Sequence, residues 1–264
     1  MQQERYTHGH PDAVLRSHRW RTAENSAGYL LAELRPGTTV LDVGCGPGTV
    51  TADFARRVAP GGVVGLDASA DVVAIAARDH EAPNLSFRTG DVYRLDVPDG
   101  AFDVVHAHQV LQHLADPVAA LVEMRRVCRP GGTVAVRDAD YQAMAWWPDT
   151  PGLDQWLEVY RAVARANGGE PDAGRHLVAW ARAAGFVDIT ASASAWCFAA
   201  PEDRAWWAET WAQRTSDSPL ADRAVELGVA SRDELAACAR AWRTWAADPD
   251  ASFLVVHAEV LADA

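Results

Sequence analysis

The stretch VLDVGCGPGTV, Val40 to Val50, constrains the chain more than any other: β-favouring residues run straight into three glycines and a proline within five positions. A helical pattern follows at once. A buried strand that breaks into such a turn brings backbone N–H groups close to a bound molecule. Around it, strand and helix signals alternate. TTVLDV precedes TVTADFARRVA, in which Val50, Phe54 and Val58 recur at helical spacing, and GVVGLDAS precedes ADVVAIAARDH. LSFRTGDV leads to FDVVHAH, and PVAALVEMRRVC, with Pro117 suited to a helix start, passes through the turn RPGG to the strand TVAVRDAD. Strands apolar on both faces, alternating with helices, predict an α/β fold with a parallel sheet covered on each side.

Upstream, Arg16 to Leu34 is helical in style, with Ala27, Leu30, Leu31 and Leu34 on one stripe. Downstream of Asp140 the character changes, and ten of the eleven tryptophans lie there. FVDITASASAWCF and ASFLVVHAEVL are strand candidates that need a core, so they belong at one edge of the same sheet. The tryptophan-rich helices between them become insertions over it. The expected division is an N-terminal helical lid (1–35), a ligand-binding core (36–140), and the last strands with their insertions (141–264).

With 36 acidic against 24 basic side chains the net charge is -12, the wrong sign for broad contact with nucleic-acid phosphates or an anionic membrane. The start, MQQERYTHGHPD, lacks the apolar stretch of a secretory signal, and no run is long enough to span a bilayer. Cys45, Cys128, Cys197 and Cys238 are widely spaced, which fits a reducing compartment and no structural metal. A cytoplasmic protein, monomer or homodimer, is expected.

In an open parallel sheet the ligand site lies beyond the carboxyl ends of the strands, where strand order reverses. Gly44, Gly46 and Gly48 occupy that place after the first strand. A dinucleotide fingerprint needs a glycine at position 49, where this chain has Thr49. Asp67 ends the second strand about twenty residues on, where a carboxylate takes ribose hydroxyls. Asp91 is placed for the exocyclic amine of an adenine, and Asp42 for an ammonium group. An adenosine with a cationic amino-acid tail suits these carboxylates better than one carrying phosphates.

VLDVGCGPG, GLDAS, TGDV, FDVVHAHQVLQHLADP and VCRPGGTVAVRD, spread in order from Val40 to Asp138, together resemble the class I S-adenosylmethionine-dependent methyltransferases. The likeness is to the small-molecule branch that includes the quinone-biosynthesis C-methyltransferases. The resemblance implies a Rossmann-like three-layer sandwich whose seven-stranded, mostly parallel sheet has an antiparallel last strand. It implies S-adenosylmethionine as cofactor, with Gly44, Cys45 and Gly46 along its methionine part and Asp67 on its ribose. Asp91 and Val92 are implied at the adenine, His108 and Gln109 near the sulfonium, and Thr49, Ala68, Gly90 and His113 as further cofactor contacts.

Methyl transfer from a sulfonium needs alignment and dryness more than acid–base chemistry, so catalytic residues leave a fainter mark. In RYTHGHPDAVLRSH, the side chains of Tyr6, His8, His10 and His18 are candidates for a closing lid and for proton removal. His108 and Asp140, at strand ends, are candidates for acceptor contact or the same proton. His106 is expected under the sheet's edge, and Trp206, Trp207, Trp211, Trp242 and Trp245 in the core. Some of these, or Trp146 and Trp147, wall an apolar acceptor pocket. The function expected is methylation of a small, apolar or aromatic metabolite, of the kind made in secondary metabolism. The alternative is a cyclase or isomerase that holds the cofactor without spending its methyl group.

Overall fold

A computed structural model describes residues 20–264. Five strands run parallel in the order β3-β2-β1-β4-β5: β1 (Val40–Val43), β2 (Val63–Asp67), β3 (Leu85–Thr89), β4 (Phe102–His108) and β5 (Cys128–Ala139). The chain steps outward from β1 to β3 and then crosses back to β4. The reversal leaves a crevice beyond the carboxyl ends of β1 and β4. Register places Asp42 beside His106 and His108 beside Arg137.

Local chemistry sets the helices. α1 (Ala23–Ala27) begins at Thr22, whose hydroxyl accepts from the Asn25 N–H in a capping box. It gives way to a 3-10 turn, Gly28–Leu30, so the single helix expected from Arg16 to Leu34 is not formed over its described part. The apolar stripe survives nonetheless, with Ala27, Leu30 and Leu34 buried. α2 (Thr49–Val58) starts directly from Gly48 and buries Val50, Phe54 and Val58. α3 (Ala70–Asp79) is capped by Ser69, and α4 (Pro117–Val127) by Asp116 with Pro117 in its first turn.

The second half adds β6 (Ala145–Trp147), α5 (Pro151–Ala166), α6 (Leu177–Ala183), β7 (Ile189–Phe198), α7 (Pro201–Ser216), α8 (Pro219–Glu226), α9 (Arg232–Ala247) and β8 (Ser252–Asp263). β8 runs antiparallel between β5 and β7. The sheet has eight strands, one more than expected. After Ala139, paired with His257, the chain leaves the sheet for a 3-10 turn and rejoins β8 at Ala145, paired with Leu254. β6 thus resumes the line of β5, and three residues are too few to carry a readable alternation.

The strands divide two cores. Leu41, Val105 and Val136 face α4 and α6, while Val40, Val104 and Ala135 face α1 and α2. A third core lies over β7 and β8, where α5, α7 and α9 enclose Trp156, Trp211, Trp242 and Trp245 against Phe253. Burying one indole contributes at most about 4–6 kcal/mol of transfer free energy. The four together give this insertion a core of its own against β7 and β8. Among the described residues no helix is long and apolar enough to cross a membrane.

Candidate active site

The glycine turn is left-handed at three points, with φ of 67° at Gly44, 55° at Gly46 and 84° at Gly48. Space is as tight as backbone. A Cβ on Gly44 would lie 2.3 Å from Val110 Cγ2, and one on Gly48 would lie 2.8 Å from the Phe87 ring. The turn is pinned by Cys45 N–H to Leu66 O at 3.0 Å and Gly48 N–H to Cys45 O at 3.1 Å. Asp67 ties it to the next crossover: Oδ2 accepts from Gly46 N–H at 3.1 Å and Oδ1 from Ser69 N–H at 3.0 Å. Ser69, not Asp67, caps α3.

A cavity of about 630 Å³ opens here. On one side lie Gly44, Cys45, Gly46 and Thr49 from the first crossover, Asp67 and Ala68 from the second, and Gly90, Asp91 and Val92 from the third. His108, Gln109 and His113 stand at its middle. On the other side are Trp20, Tyr141, Met144, Trp196, Trp207 and Trp211. The described lining includes Asp42, Asp67 and Asp91 in the glycine half, and its guanidinium groups, Arg21 and Arg214, lie over Trp196 and Trp211 in the aromatic half. A pyrophosphate would meet carboxylates. A nucleoside with a cationic tail fits, its ribose against Asp67 and its tail along a turn too close for any Cβ at Gly44.

Several expectations change on contact with the structure. Asp42 is 3% exposed, and its oxygens accept from Thr51 Oγ1 at 2.6 Å and from His106 Nδ1 at 2.7 Å. It braces the turn from below rather than offering an unclaimed carboxylate to an ammonium group. His106 is not at an edge: β4 is flanked by β1 and β5, and the ring is fully buried against Phe54. Asp140 does not line the cavity. It caps the turn Tyr141–Ala143, and the Arg175 guanidinium donates to both of its oxygens at 2.7 Å. Tyr6, His8, His10 and His18 lie outside the described residues.

Burial lowers the affinity of His108 and His113 in the cavity, and of His257 beside them, for a proton. Burial first, then the charges of Arg137 and Arg21, keep His108 well below the ordinary imidazole range, and His257 beside it likewise. His113 is pushed down to about 3 by burial and Arg21. These surroundings oppose the proton-removing role expected of His108 and leave its capacity for contact. The Cys45 thiol is pushed up by burial and by Asp42 and Asp67, so it is no nucleophile.

Behind His108 lies a buried polar group that the sequence reading missed. Arg137 on β5 pairs with Glu259 on β8 at 3.2 Å, Ser192 and Ser194 on β7 donate to Glu259, and the Arg137 guanidinium sits 5.1 Å from the Trp196 ring centre. His257 Nδ1–H donates to Val255 O at 3.0 Å, which makes its Nε2 the acceptor for Gln109 Nε2–H at 2.8 Å. Gln109 Oε1 in turn accepts from Arg21. A signal existed: His257 and Glu259 share one face of an otherwise apolar strand, VVHAEV.

A family of methyltransferase domains matches residues 34–184. An uncharacterized methyltransferase of Schizosaccharomyces pombe is 36% identical over 267 residues, covering 97% of this chain and 95% of its own. The structure of YcgJ from Bacillus subtilis aligns with a TM-score of 0.60 at 19% identity, covering 91% of this chain and 98% of that one. A phosphoethanolamine N-methyltransferase of Haemonchus contortus, solved with S-adenosylhomocysteine, aligns with a TM-score of 0.55 at 18% identity, over 87% of this chain and 49% of that one. At these identities the two solved structures share the fold.

Proposed function

The chain belongs to the methyltransferase-domain family and is an S-adenosylmethionine-dependent methyltransferase, and from that premise we propose that it methylates a small apolar or aromatic molecule. The observation that carries this reading is a cavity whose carboxylate-lined half, beside the glycine turn, is continuous with a tryptophan-walled half. The division of labour follows the chain. Residues 36–140 would hold the cofactor and 141–264 wall the acceptor, and from the described part of 1–35 Trp20 and Arg21 line the cavity.

When bound, S-adenosylmethionine supplies a methyl group already activated on a cationic sulfur. Asp67, whose oxygens each take only one backbone N–H, has lone pairs left for ribose hydroxyls. Val92 and Asp91 would hold the adenine, and the backbone of Gly44 to Gly46 would hold the amino-acid tail. Gln109, held at φ 54° with its side chain tied to Arg21 and His257 and its N–H to Arg137 O, would stand beside the reacting centre. The aromatic walls align a flat acceptor for in-line attack and exclude water. A net charge of -12 supports a small acceptor over a polynucleotide, and a metabolite of this kind suits a cytoplasmic enzyme of secondary metabolism.

Calorimetry with S-adenosylhomocysteine tests the cofactor half. Asp67→Ala removes a charge-assisted contact, so affinity should fall by roughly tenfold to a hundredfold, and unchanged affinity would remove Asp67 from the site. Product mass tests the chemistry. Gain of one CH₂ unit supports methylation, whereas conversion without gain of mass would favour the cyclase or isomerase reading.

A further inference from the structure

Among the described residues Gln109 is the one non-glycine residue with positive φ, at 54°. Left-handed backbone is costly for such a residue and persists only where the surroundings hold it. Three contacts do so here. The Gln109 N–H donates to Arg137 O at 2.7 Å, its Oε1 accepts from Arg21, and its Nε2–H donates to His257 Nε2 at 2.8 Å. The bend passes β4 into the 3-10 turn Leu111–His113 and brings Val110 against the glycine turn, where Val110 Cγ2 stands in the place of a Gly44 side chain. Gln109, Val110, Gln112 and His113 all line the cavity. The shape of residue 109 therefore sets a stretch of the cavity wall.

His257 reaches this bend from β8, 148 residues further along the chain. Its ring is fully buried, 4.4 Å from the Trp196 ring centre, and is not part of the cavity lining. Nδ1–H is committed to Val255 O at 3.0 Å, so Nε2 can only accept. Burial and the charges of Arg137 and Arg21 lower its affinity for a proton, which keeps that lone pair in place. At the other end of the amide, Arg21 can only donate. Both neighbours thus require one orientation of Gln109, nitrogen toward β8 and oxygen toward Arg21. The base is firm, since β8 is paired with β5 on one side and β7 on the other.

We propose that His257 is a positioning residue for the cofactor: acting through Gln109, it holds Val110 against the glycine turn and sets the wall along which the amino-acid tail of S-adenosylmethionine lies. The proposal rests on the cofactor reading of the cavity and is independent of the acceptor. His257 itself touches neither molecule. Adenosine lacks the tail and would depend on Asp67 and Asp91, which lie on other crossovers, so it should not feel the change.

The test is calorimetry of S-adenosylhomocysteine and of adenosine on the natural protein and its variants. In His257→Leu, affinity for S-adenosylhomocysteine should fall by about fivefold or more, while that for adenosine stays within about twofold. His257→Gln, which returns an acceptor oxygen toward Gln109, should recover most of the loss. Gln109→Leu should show the same loss, and adding His257→Leu to it should cost nothing further, because His257 acts through that side chain. Unchanged affinity in folded His257→Leu, equal losses for the two ligands, no recovery in His257→Gln, or losses that multiply in the double variant would each overturn the proposal. A readout without variants serves if His257→Leu does not fold: nitrogen-15 spectra of the natural protein should show the His257 proton on Nδ1. A proton on Nε2 or an imidazolium at neutral pH would overturn it. Natural protein that binds neither ligand would count against the cofactor reading itself, so the two failures are told apart.

Discussion

Asp138 is fully buried on β5, and one of its oxygens accepts from Gln112 N–H at 3.2 Å while the other has no partner among the described residues. Burial pushes its carboxyl up to about 7, opposed by the backbone N–H groups of Gln112 and Leu111 and by Arg137 and Arg21. An unfolded aspartate titrates near roughly 3.9. Between those values the folded protein keeps a proton that the unfolded chain has lost. Stability is therefore greatest at the acid end of the window and falls as pH rises through it, with the loss complete above the folded value. Asp138→Asn keeps an oxygen toward Gln112 and removes the charge. By denaturant unfolding it should be more stable than the natural protein at about pH 8, by about 1–3 kcal/mol, and no more stable at about pH 5. An equal change at both values would mean that Asp138 is not the titrating group.

The strand–turn–helix unit from β1 to α2 shows how one element shapes a cavity wall. Its turn needs left-handed backbone at Gly44, and Val110 closes the space where a side chain would go. Gly44→Ala should cost about 1–2 kcal/mol for the backbone and about 1–3 kcal/mol more for the clash with Val110. Adding Val110→Ala should return the second part and not the first. Thermal unfolding of the single and double variants measures the split. If the second substitution recovers nothing, the clash is not what excludes a side chain there.

At the scale of the whole molecule, the sheet carries a third core that stands apart from the two that flank its parallel strands. The third core, centred on Trp242, lies over β7 and β8 and stands away from the glycine turn. Trp242→Ala should lower stability by about 3–5 kcal/mol, as large buried aromatic truncations do. While folded, the variant should bind S-adenosylhomocysteine within about twofold of the natural protein, since distant sites act nearly independently. A large loss of that affinity in folded protein would show that the tryptophan mass shapes the cofactor half as well.

Sequence by itself determined the parallel α/β framework and the glycine turn that follows its first strand. Both depend on short-range patterns: alternation of strand and helix, glycines where φ is positive, a carboxylate at the end of a named strand. Val50, Phe54 and Val58 could be assigned to one buried face, and Gly44 to Gly48 to one turn, without knowing what packs on them. The aromatic half of the cavity was not legible in that way. Trp20, His108, Arg137, Trp196 and His257 come from the start of the chain and from four strands, and their meeting depends on sheet order and register. Asp140 reads as a candidate base until Arg175, 35 residues on, arrives to hold it. His108 reads as a base until the neighbouring strand sets Arg137 against its Nδ1. Only tertiary structure decides which charges are neighbours, and burial among those neighbours decides which atom keeps the proton.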